Sequence, residues 1–123
     1  MARILIVDDD AHIVRVMSIW LTRHGHQTCC AANGADALEV IEREPVDLII
    51  SDVNMPVLDG HELAVALRER GLGDLPLLFL TARCDQDKLA GRLRGYSARV
   101  LPKPFVPSKL VSEIESMLDQ VAT

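Results

Sequence analysis

Aromatic residues are scarce in this sequence, at 3% of 123 residues, so the hydrophobic core must be built from Leu, Ile, Val and Ala. No apolar stretch approaches the roughly 20 residues that a bilayer-spanning helix needs. We therefore expect no membrane segment. Hydrophobic residues make up 49% and charged residues 25% of the chain, which is typical of a globular protein and argues against disorder. The length suits one domain, over residues 1–123.

Cysteine is also rare, and none of the three cysteines has the CxxC or Cys/His spacing of a metal or redox site. Cys29 and Cys30 are neighbours, so on a strand their side chains would point to opposite faces. We interpret them as small buried hydrophobes in a reducing compartment. Cys84 follows Thr81 by three residues, and a redox role near the mouth of a site is the alternative for it.

Basic residues are fewer than acidic ones, 13 against 18, which gives a formal net charge of -5. This argues against non-specific binding to nucleic acid, and we expect no direct nucleic-acid contact. The apolar run at residues 3–7 ends in three aspartates, which makes it too short and too acidic for a signal peptide. A cytoplasmic location is the resulting expectation.

What the sequence does contain is a fivefold alternation of apolar runs and helical patterns. Continuous apolar runs predict strands that are covered on both faces. Each run is followed by apolar residues at helical spacing, such as Ile13, Val16, Met17, Trp20 and Leu21, with Gly25 placed to end that helix. The predicted strands are residues 4–7, 27–32, 46–51, 76–80 and 99–101; the predicted helices are 11–24, 34–44, 60–70, 85–95 and 108–121. This order predicts an α/β domain with a doubly wound, five-stranded parallel sheet and five helices.

Polar residues follow four of these strands, at the point where each ends. The three aspartates at 8–10 follow the first strand, Asp52 the third, Thr81 the fourth and Lys103 the fifth. Ligands of open parallel sheets bind beyond the carboxyl ends of the strands, so these side chains should share one crevice. Carboxylates, a hydroxyl and an ammonium group suit a phosphoryl group with a divalent metal ion.

Each residue also has a simpler interpretation. One aspartate of the 8–10 run would cap the first helix, Asp52 would sit in a turn before Pro56, Thr81 would cap the fourth helix, and Lys103 would be a surface lysine. Gathering several carboxylates is costly unless a cation lies among them. Hard oxygen ligands select Mg²⁺ or a similar ion such as Mn²⁺. A carboxylate can also be a nucleophile that forms an acyl phosphate.

Four short motifs, in this order over essentially the whole chain, resemble the receiver domain of bacterial two-component response regulators. They are the aspartate pair after the first strand, DVNMP at 52–56 with DG at 59–60, LTAR at 80–83 and KPF at 103–105. The resemblance implies a flavodoxin-like fold with strand order 2-1-3-4-5. It also implies that the chain is a signalling switch rather than an enzyme, assisting only its own phosphorylation and dephosphorylation.

The resemblance implies a role for each site residue. Asp52 would accept a phosphoryl group from a histidine kinase or a phosphotransfer protein. Asp9, Asp52 and the backbone carbonyl of Asn54 would bind Mg²⁺ directly, with Asp8 acting mainly through water. Lys103 would pair with the phosphoryl oxygens.

The same resemblance places a switch near the fourth and fifth strands. Thr81 would move to hydrogen-bond the phosphoryl group, and the bond before Pro104 would be cis. Receivers usually carry Tyr or Phe three residues before the lysine, where this sequence has Val100. The sequence at 96–99 likewise departs from the usual Gly-Ala-Asp-Asp pattern, and Tyr96 is interpreted as packing rather than as the switch aromatic.

The output face implied by the family is the fourth helix, the fifth strand and the fifth helix. Its first part is basic and the last helix is acidic, so a homodimer paired across a two-fold axis is one hypothesis, and a merely solvated charged face is the alternative. Output would go to a downstream effector protein or to a fused output domain. The sequence is thus expected to be a stand-alone receiver or one excised from a larger regulator.

Three other functions compete with this interpretation. An Asp-nucleophile phosphohydrolase of the haloacid-dehalogenase type would place its nucleophile right after the first strand and add a cap domain. A flavodoxin-like electron carrier would need a Ser/Thr/Gly-rich phosphate loop where this sequence has three aspartates. A degenerate receiver would act as a phosphorylation-independent interaction module, and the complete acidic set with Thr81 and Lys103 argues against it.

Overall fold

A computed structural model of the protein describes residues 2–52, 60–82, 91, 98–103 and 106–122. Strands and helices alternate along this part of the chain, as the sequence predicts. The strands are β1 (Arg3–Val7), β2 (Gln27–Ala31), β3 (Leu48–Asp52), β4 (Leu77–Ala82) and β5 (Ala98–Lys103). The helices are α1 (Ala11–Arg23), α2 (Gly34–Arg43), α3 (Gly60–Glu69) and a C-terminal helix (Pro107–Ala122).

The five strands form one parallel sheet in the order β2-β1-β3-β4-β5. This confirms the predicted fold class and strand order. The helix predicted at 85–95 lies almost entirely outside the described residues, of which Gly91 alone belongs to that segment and is helical.

All five strands differ from their predicted ranges by one or two residues at an end, and the differences at the C-terminal ends of β3, β4 and β5 concern the site. β3 runs to Asp52 rather than stopping at Ser51, β4 extends to Ala82, and β5 includes Lys103. The pairing explains this, because Asp52 lies opposite Leu80 and Ala82 lies opposite Lys103 in the parallel ladders. Asp52, Thr81 and Lys103 are therefore strand residues with fixed backbones rather than loop residues that follow a strand.

Two hydrophobic cores cover the two faces of the sheet. Since side chains alternate along a strand, Ile4 and Ile6 face one core while Leu5 and Val7 face the other. The first core is shared with α1 and the C-terminal helix, and the second with α2 and α3. Each face of the parallel sheet is thus packed against helices, as parallel sheets require.

Helix α1 turns a slightly different face inward from the predicted one. Met17 and Leu21 are buried, with Val14 and Trp20 partly buried beside them, whereas Ile13 is 37% exposed. Ile13, which the sequence places at the same helical spacing, lies in the first turn of α1 and is more exposed there than Met17 and Leu21. The helix ends as predicted, with Gly25 in the left-handed region at φ 85°.

The two neighbouring cysteines lie on β2, an edge strand of the sheet. Cys29 is partly buried, and this burial raises the pKa of its thiol. Cys30 is exposed, so its interpretation as a buried hydrophobe was wrong, since an edge strand leaves part of its surface to solvent. Cys84 lies outside the described residues.

In the part of the chain that the structure describes, no helix has the length and apolar character that crossing a bilayer requires.

Candidate functional site

The parallel register brings the predicted site residues to one edge of the sheet. Val7 pairs with Ser51, so Asp8 and Asp52 follow one position further along adjacent strands. On the other side of β3, Asp52 pairs with Leu80, the residue before Thr81. The Nζ atom of Lys103 lies 3.3 Å from Oδ2 of Asp52, which makes a direct ion pair.

Strand alternation sorts these side chains between the two faces of the sheet. Asp52 shares its face with Ile50, and Lys103 shares its face with Leu101, both members of the core against the C-terminal helix. Thr81 alternates onto the opposite face with Phe79. The ion pair and the hydroxyl therefore approach the edge of the sheet from different faces.

The three aspartates after β1 have different environments. Asp10 is the N-cap of α1, since its side chain accepts a hydrogen bond from the backbone N–H of His12 at 2.9 Å. Asp8 is buried, and its Oδ1 accepts from the backbone N–H of Asp10 at 2.8 Å. Asp9 is exposed. Because Asp10 alone caps the helix, Asp8 and Asp9 are available for another role.

The Asp8 carboxyl group is held above its ordinary pKa. Burial is the largest cause, and the nearby carboxylates of Asp52 and Asp9 raise the pKa further. The hydrogen bond from Asp10 and the positive charge of Lys103 act in the opposite direction. A cation bound nearby would stabilise the ionised form of this buried carboxyl group, because it would offset the repulsion from the two other carboxylates.

Thr81 and Lys103 differ in exposure. Thr81 is 2% exposed, so its hydroxyl is enclosed within the fold. The side chain of Lys103 is 43% exposed while that of Asp52 is 18% exposed, and solvent can therefore reach the pair from the Lys103 side. Val100 is partly buried against the second core, opposite Phe79 in the ladder.

Oxygen donors of the kind that Mg²⁺ prefers are present at this edge. The carboxylates of Asp8, Asp9 and Asp52 are hard ligands, and the pKa of Asp8 is raised first by burial and then by the Asp52 and Asp9 carboxylates. Within the described ranges, no three Asp, Glu, His or Cys side chains already form a compact metal-binding group. The donor set fits a magnesium ion in its chemistry, and Lys103 provides the positive charge that Asp52 contacts.

Besides Cys84, the residues outside those that the structure describes include Asn54 with its carbonyl, Pro104 with the bond before it, Tyr96, and the predicted fourth helix apart from Gly91. Val106, the residue before the C-terminal helix, is described and is 60% exposed.

A cleft of about 610 Å³ opens beside the aspartates, between α1 and the end of β2. Its walls include Asp8, Asp9, Val14, Ile19 and Cys30. Asp52 does not line it, so this cleft lies next to the site and not over the Asp52–Lys103 pair.

One cluster of charged residues was not anticipated as an intramolecular contact. Arg99 on β5 pairs with Glu113 of the C-terminal helix at 3.1 Å and donates to the Ser116 hydroxyl at 3.2 Å. Lys109 contacts the other Glu113 oxygen at 3.0 Å. These hydrogen bonds, that of Lys109 first, lower the pKa of Glu113 against the opposing effect of burial. The four-residue spacing of Lys109 and Glu113 is visible in the sequence, but the contact with Arg99 depends on packing.

Comparison with known proteins agrees with this geometry. The family model for the response regulator receiver domain matches residues 4–115. An uncharacterized transcriptional regulatory protein, YbdJ of Bacillus subtilis, is 41% identical over 118 residues, which are 95% of this chain and 51% of YbdJ. The response regulator MprA of Mycobacterium leprae is 40% identical over 119 residues, covering 94% of this chain and 50% of MprA. The chain thus spans about half the length of these curated relatives.

Solved structures of similar proteins match this chain over nearly the whole length of both chains. The chemotaxis response regulator CheY4 of Vibrio cholerae is 35% identical with a TM-score of 0.84, over 95% of this chain and 98% of that one. The receiver domain of the Francisella response regulator 1452 is 27% identical with a TM-score of 0.89, over 98% and 99% of the two chains. From its motifs, its sheet and these relatives, the chain belongs to the response regulator receiver domains of two-component signalling systems.

Proposed function

We propose that Asp52 is the phosphoacceptor of this receiver domain and that residues 1–123 form one such domain. The observation that carries the proposal is the ion pair between Asp52 and Lys103 at the sheet edge where Asp8 also lies. An aspartate that is held by a lysine and flanked by carboxylates suits phosphoryl transfer, because positioning and charge neutralisation supply most of its catalysis.

In the proposed reaction, a carboxylate oxygen of Asp52 attacks the phosphorus of a phosphorylated histidine in a kinase or phosphotransfer protein. The new P–O bond forms as the P–N bond breaks, and the donor imidazole leaves with the bonding electrons. The Lys103 ammonium, already beside Asp52, pairs with the negative phosphoryl oxygens. The chain thereby assists its own phosphorylation, and water later hydrolyses the acyl phosphate.

We propose that Mg²⁺ is the cofactor, with Mn²⁺ as a substitute. Asp9, Asp52 and the backbone carbonyl of Asn54 would hold it, with Asp8 acting through water. When bound, the ion would neutralise charge on the transferring group. The exposed position of Asp9 and the raised pKa of Asp8 support this assignment, since Asp9 is accessible while Asp8 is buried and lies near the carboxylates of Asp52 and Asp9.

Thr81 and Val100 are the proposed switch residues, with Pro104 following the lysine in the cis arrangement. Thr81 is buried and pairs with Pro102 in the ladder. A movement of its hydroxyl toward Asp52 would therefore change its packing against β5. Val100 is smaller than the aromatic residue usual at its position, so its displacement would rearrange less of the surface.

The proposed partners are a histidine kinase or phosphotransfer protein on the input side and an effector protein or a fused output domain on the output side. The similar proteins are compatible with both kinds of output. CheY4 and this chain match over nearly their whole lengths, which suits an effector protein, whereas this chain covers only 51% of YbdJ, which suits a fused output domain. We place the chain in the cytoplasm as part of the same proposal. The proposal includes a homodimer through the face made by the fourth helix, β5 and the C-terminal helix, which sedimentation would test.

The decisive experiment measures the intact mass of the protein after incubation with acetyl phosphate. A gain of one phosphoryl group, about 80 Da, is expected with Mg²⁺ and not with EDTA. Asp52→Asn should abolish the gain, because the amide is not a nucleophile. Asp10→Asn is the matched control: it removes a neighbouring carboxylate but retains the helix cap, and it should be phosphorylated as wild type is. A phosphorylated Asp52→Asn protein would identify another acceptor, and an unreactive wild-type protein would instead favour a degenerate receiver.

A further inference from the structure

Ser51 is a buried polar residue that directly precedes Asp52 on β3. Among the described residues, three polar or charged side chains are buried: Asp8, Ser51 and Thr81. The proposed reaction gives a role to Asp8 and to Thr81. Ser51 lies at the same edge of the sheet and is 1% exposed, but it is neither a metal ligand nor a partner of the phosphoryl group in that reaction.

The surroundings of Ser51 are apolar. Strand alternation places its side chain on the same face as Ile49, toward the second core. Its neighbours in the parallel ladders are Val7 on β1 and Phe79 on β4, both members of that core. Burying a hydroxyl group costs free energy unless the group is hydrogen-bonded, so packing alone does not favour a serine over an alanine here.

The hydroxyl of Ser51 donates a hydrogen bond to the backbone carbonyl oxygen of Asp52, with an Oγ–O distance of 2.9 Å. β3 ends at Asp52, so this carbonyl lies where the chain leaves the strand. The direction of the carbonyl is set by the ψ angle of Asp52, and the side-chain rotamers open to a residue depend on its backbone angles. A bond that fixes this carbonyl therefore also restricts where the Asp52 carboxylate can point.

We propose that Ser51 is a positioning residue for phosphorylation, because its hydrogen bond to the Asp52 carbonyl holds the Asp52 carboxylate in the direction of Lys103. The inference rests on the proposed role of Asp52 as phosphoacceptor. The carboxylate lies 3.3 Å from the Lys103 ammonium, and it must attack the phosphorus in line with the bond that breaks. The Ser51 side chain lies on the opposite face of the sheet from this carboxylate, so it acts through the backbone of Asp52 rather than on the phosphodonor.

Phosphorylation by acetyl phosphate with Mg²⁺, followed by intact mass, tests the effect on the reaction. Ser51→Ala should slow it about 10-fold, because a carboxylate that is held less firmly spends less time in the reactive geometry. Ser51→Thr should restore most of the rate, since threonine keeps the hydroxyl and suits a strand. Ser51→Cys should stay slow, because a thiol is only a weak donor.

The ¹³C resonance of the Asp52 backbone carbonyl reports the hydrogen bond directly, in the protein without phosphodonor or metal. It should move in Ser51→Ala and in Ser51→Cys, and it should stay near its wild-type position in Ser51→Thr. A loss of stability that left the bond in place would not produce this pattern.

Ile49→Val is the matched control. Ile49 is fully buried on the same face of β3, so this variant loses core packing but keeps the Ser51 hydroxyl. It should react at the wild-type rate, and urea unfolding of each variant measures the stability lost.

The positioning role would be overturned if Ser51→Ala reacted at the wild-type rate or left the carbonyl resonance unchanged. It would also be overturned by an Ile49→Val protein, or a folded Ser51→Thr protein, as slow as Ser51→Ala. A wild-type protein that is not phosphorylated would instead contradict the proposed function, and the positioning role with it.

Discussion

The ammonium of Lys103 lies 3.3 Å from the Asp52 carboxylate although the two residues are 51 positions apart in the sequence. Asp52 ends β3 and Lys103 ends β5, with β4 between them in the sheet. Lys103 therefore reaches across the end of β4 to make the contact. The lysine is also the more exposed partner, which leaves the pair open to an incoming phosphoryl group.

Replacing Lys103 by Ala should lower the rate of phosphorylation by acetyl phosphate by about 100-fold, because one preorganised cation at the developing charge is lost. Time courses of intact mass measure the rate. Lys109→Ala removes an exposed lysine that contacts Glu113 rather than Asp52, and it should react at the wild-type rate. Equal rates for wild type and Lys103→Ala would remove Lys103 from the reaction.

Asp9→Ala should weaken Mg²⁺ binding strongly, by about 10-fold or more, since a direct carboxylate ligand is lost. Calorimetric titration with MgCl₂ measures the affinity. Asp10→Ser is the control because serine keeps the N-cap of α1 while one acidic charge is removed from the same run. If both variants bind Mg²⁺ equally, the metal site has been misplaced.

Leu21→Ala should reduce the free energy of unfolding by about 2–5 kcal/mol, because the side chain is fully buried in the core beneath α1. Ile13→Ala on the same helix should change it by less than about 1 kcal/mol, since Ile13 is 37% exposed and Ala favours the helix. Urea unfolding of both variants makes the comparison. Similar losses would show that the inward face of α1 includes Ile13 after all.

Stability should fall as the pH is lowered below the ordinary His26 pKa of 6.5. Burial, the largest cause, lowers the pKa of His26, with Glu115 opposing it. Its Nδ1 faces the backbone N–H of Ala2 at 3.4 Å, and its buried Nε2 has no partner among the described residues. The unfolded chain therefore takes up a proton at a higher pH than the folded chain does, so acid favours unfolding until the folded-state pKa is passed.

His26→Asn should flatten this dependence, because its side-chain oxygen can accept from Ala2 and does not titrate. Urea unfolding at pH 7.5 and pH 5.5 measures the difference. His12→Asn, an exposed position on α1, should retain the wild-type dependence. A His26→Asn protein as acid-sensitive as wild type would show that other groups are responsible.

Sedimentation at tens of micromolar protein, with and without beryllofluoride as an acyl-phosphate mimic, tests the homodimer. Three of the charged residues on this face already pair within the chain, Arg99 and Lys109 with Glu113. A dimer through this face must exchange or extend these contacts. We expect any association to increase with the mimic and to be weakened by Glu113→Gln; equal sedimentation in both states contradicts the dimer.

The sequence alone predicted the element order, the parallel sheet and the grouping of Asp8, Asp52, Thr81 and Lys103 at one edge. This was possible because buried strands require apolar runs, and because the carboxyl ends of parallel strands lie on one side of a sheet. The family motifs then indicated strand order and function. The assignment of roles to individual residues stays a prediction until the experiments above are made.

The tertiary structure decided which residue in a group of similar candidates caps a helix, is buried or forms an ion pair. Which aspartate of 8–10 caps α1 depends on backbone geometry, and the structure places Asp10 there and buries Asp8. The burial of individual apolar residues of α1 depends on how the helix packs against the sheet, which buries Met17 and Leu21 and leaves Ile13 37% exposed. The pairing of Arg99 with Glu113 depends on where the C-terminal helix lies over β5. Periodicity fixes spacing along one element, whereas these contacts are set by packing between elements that are distant in the sequence.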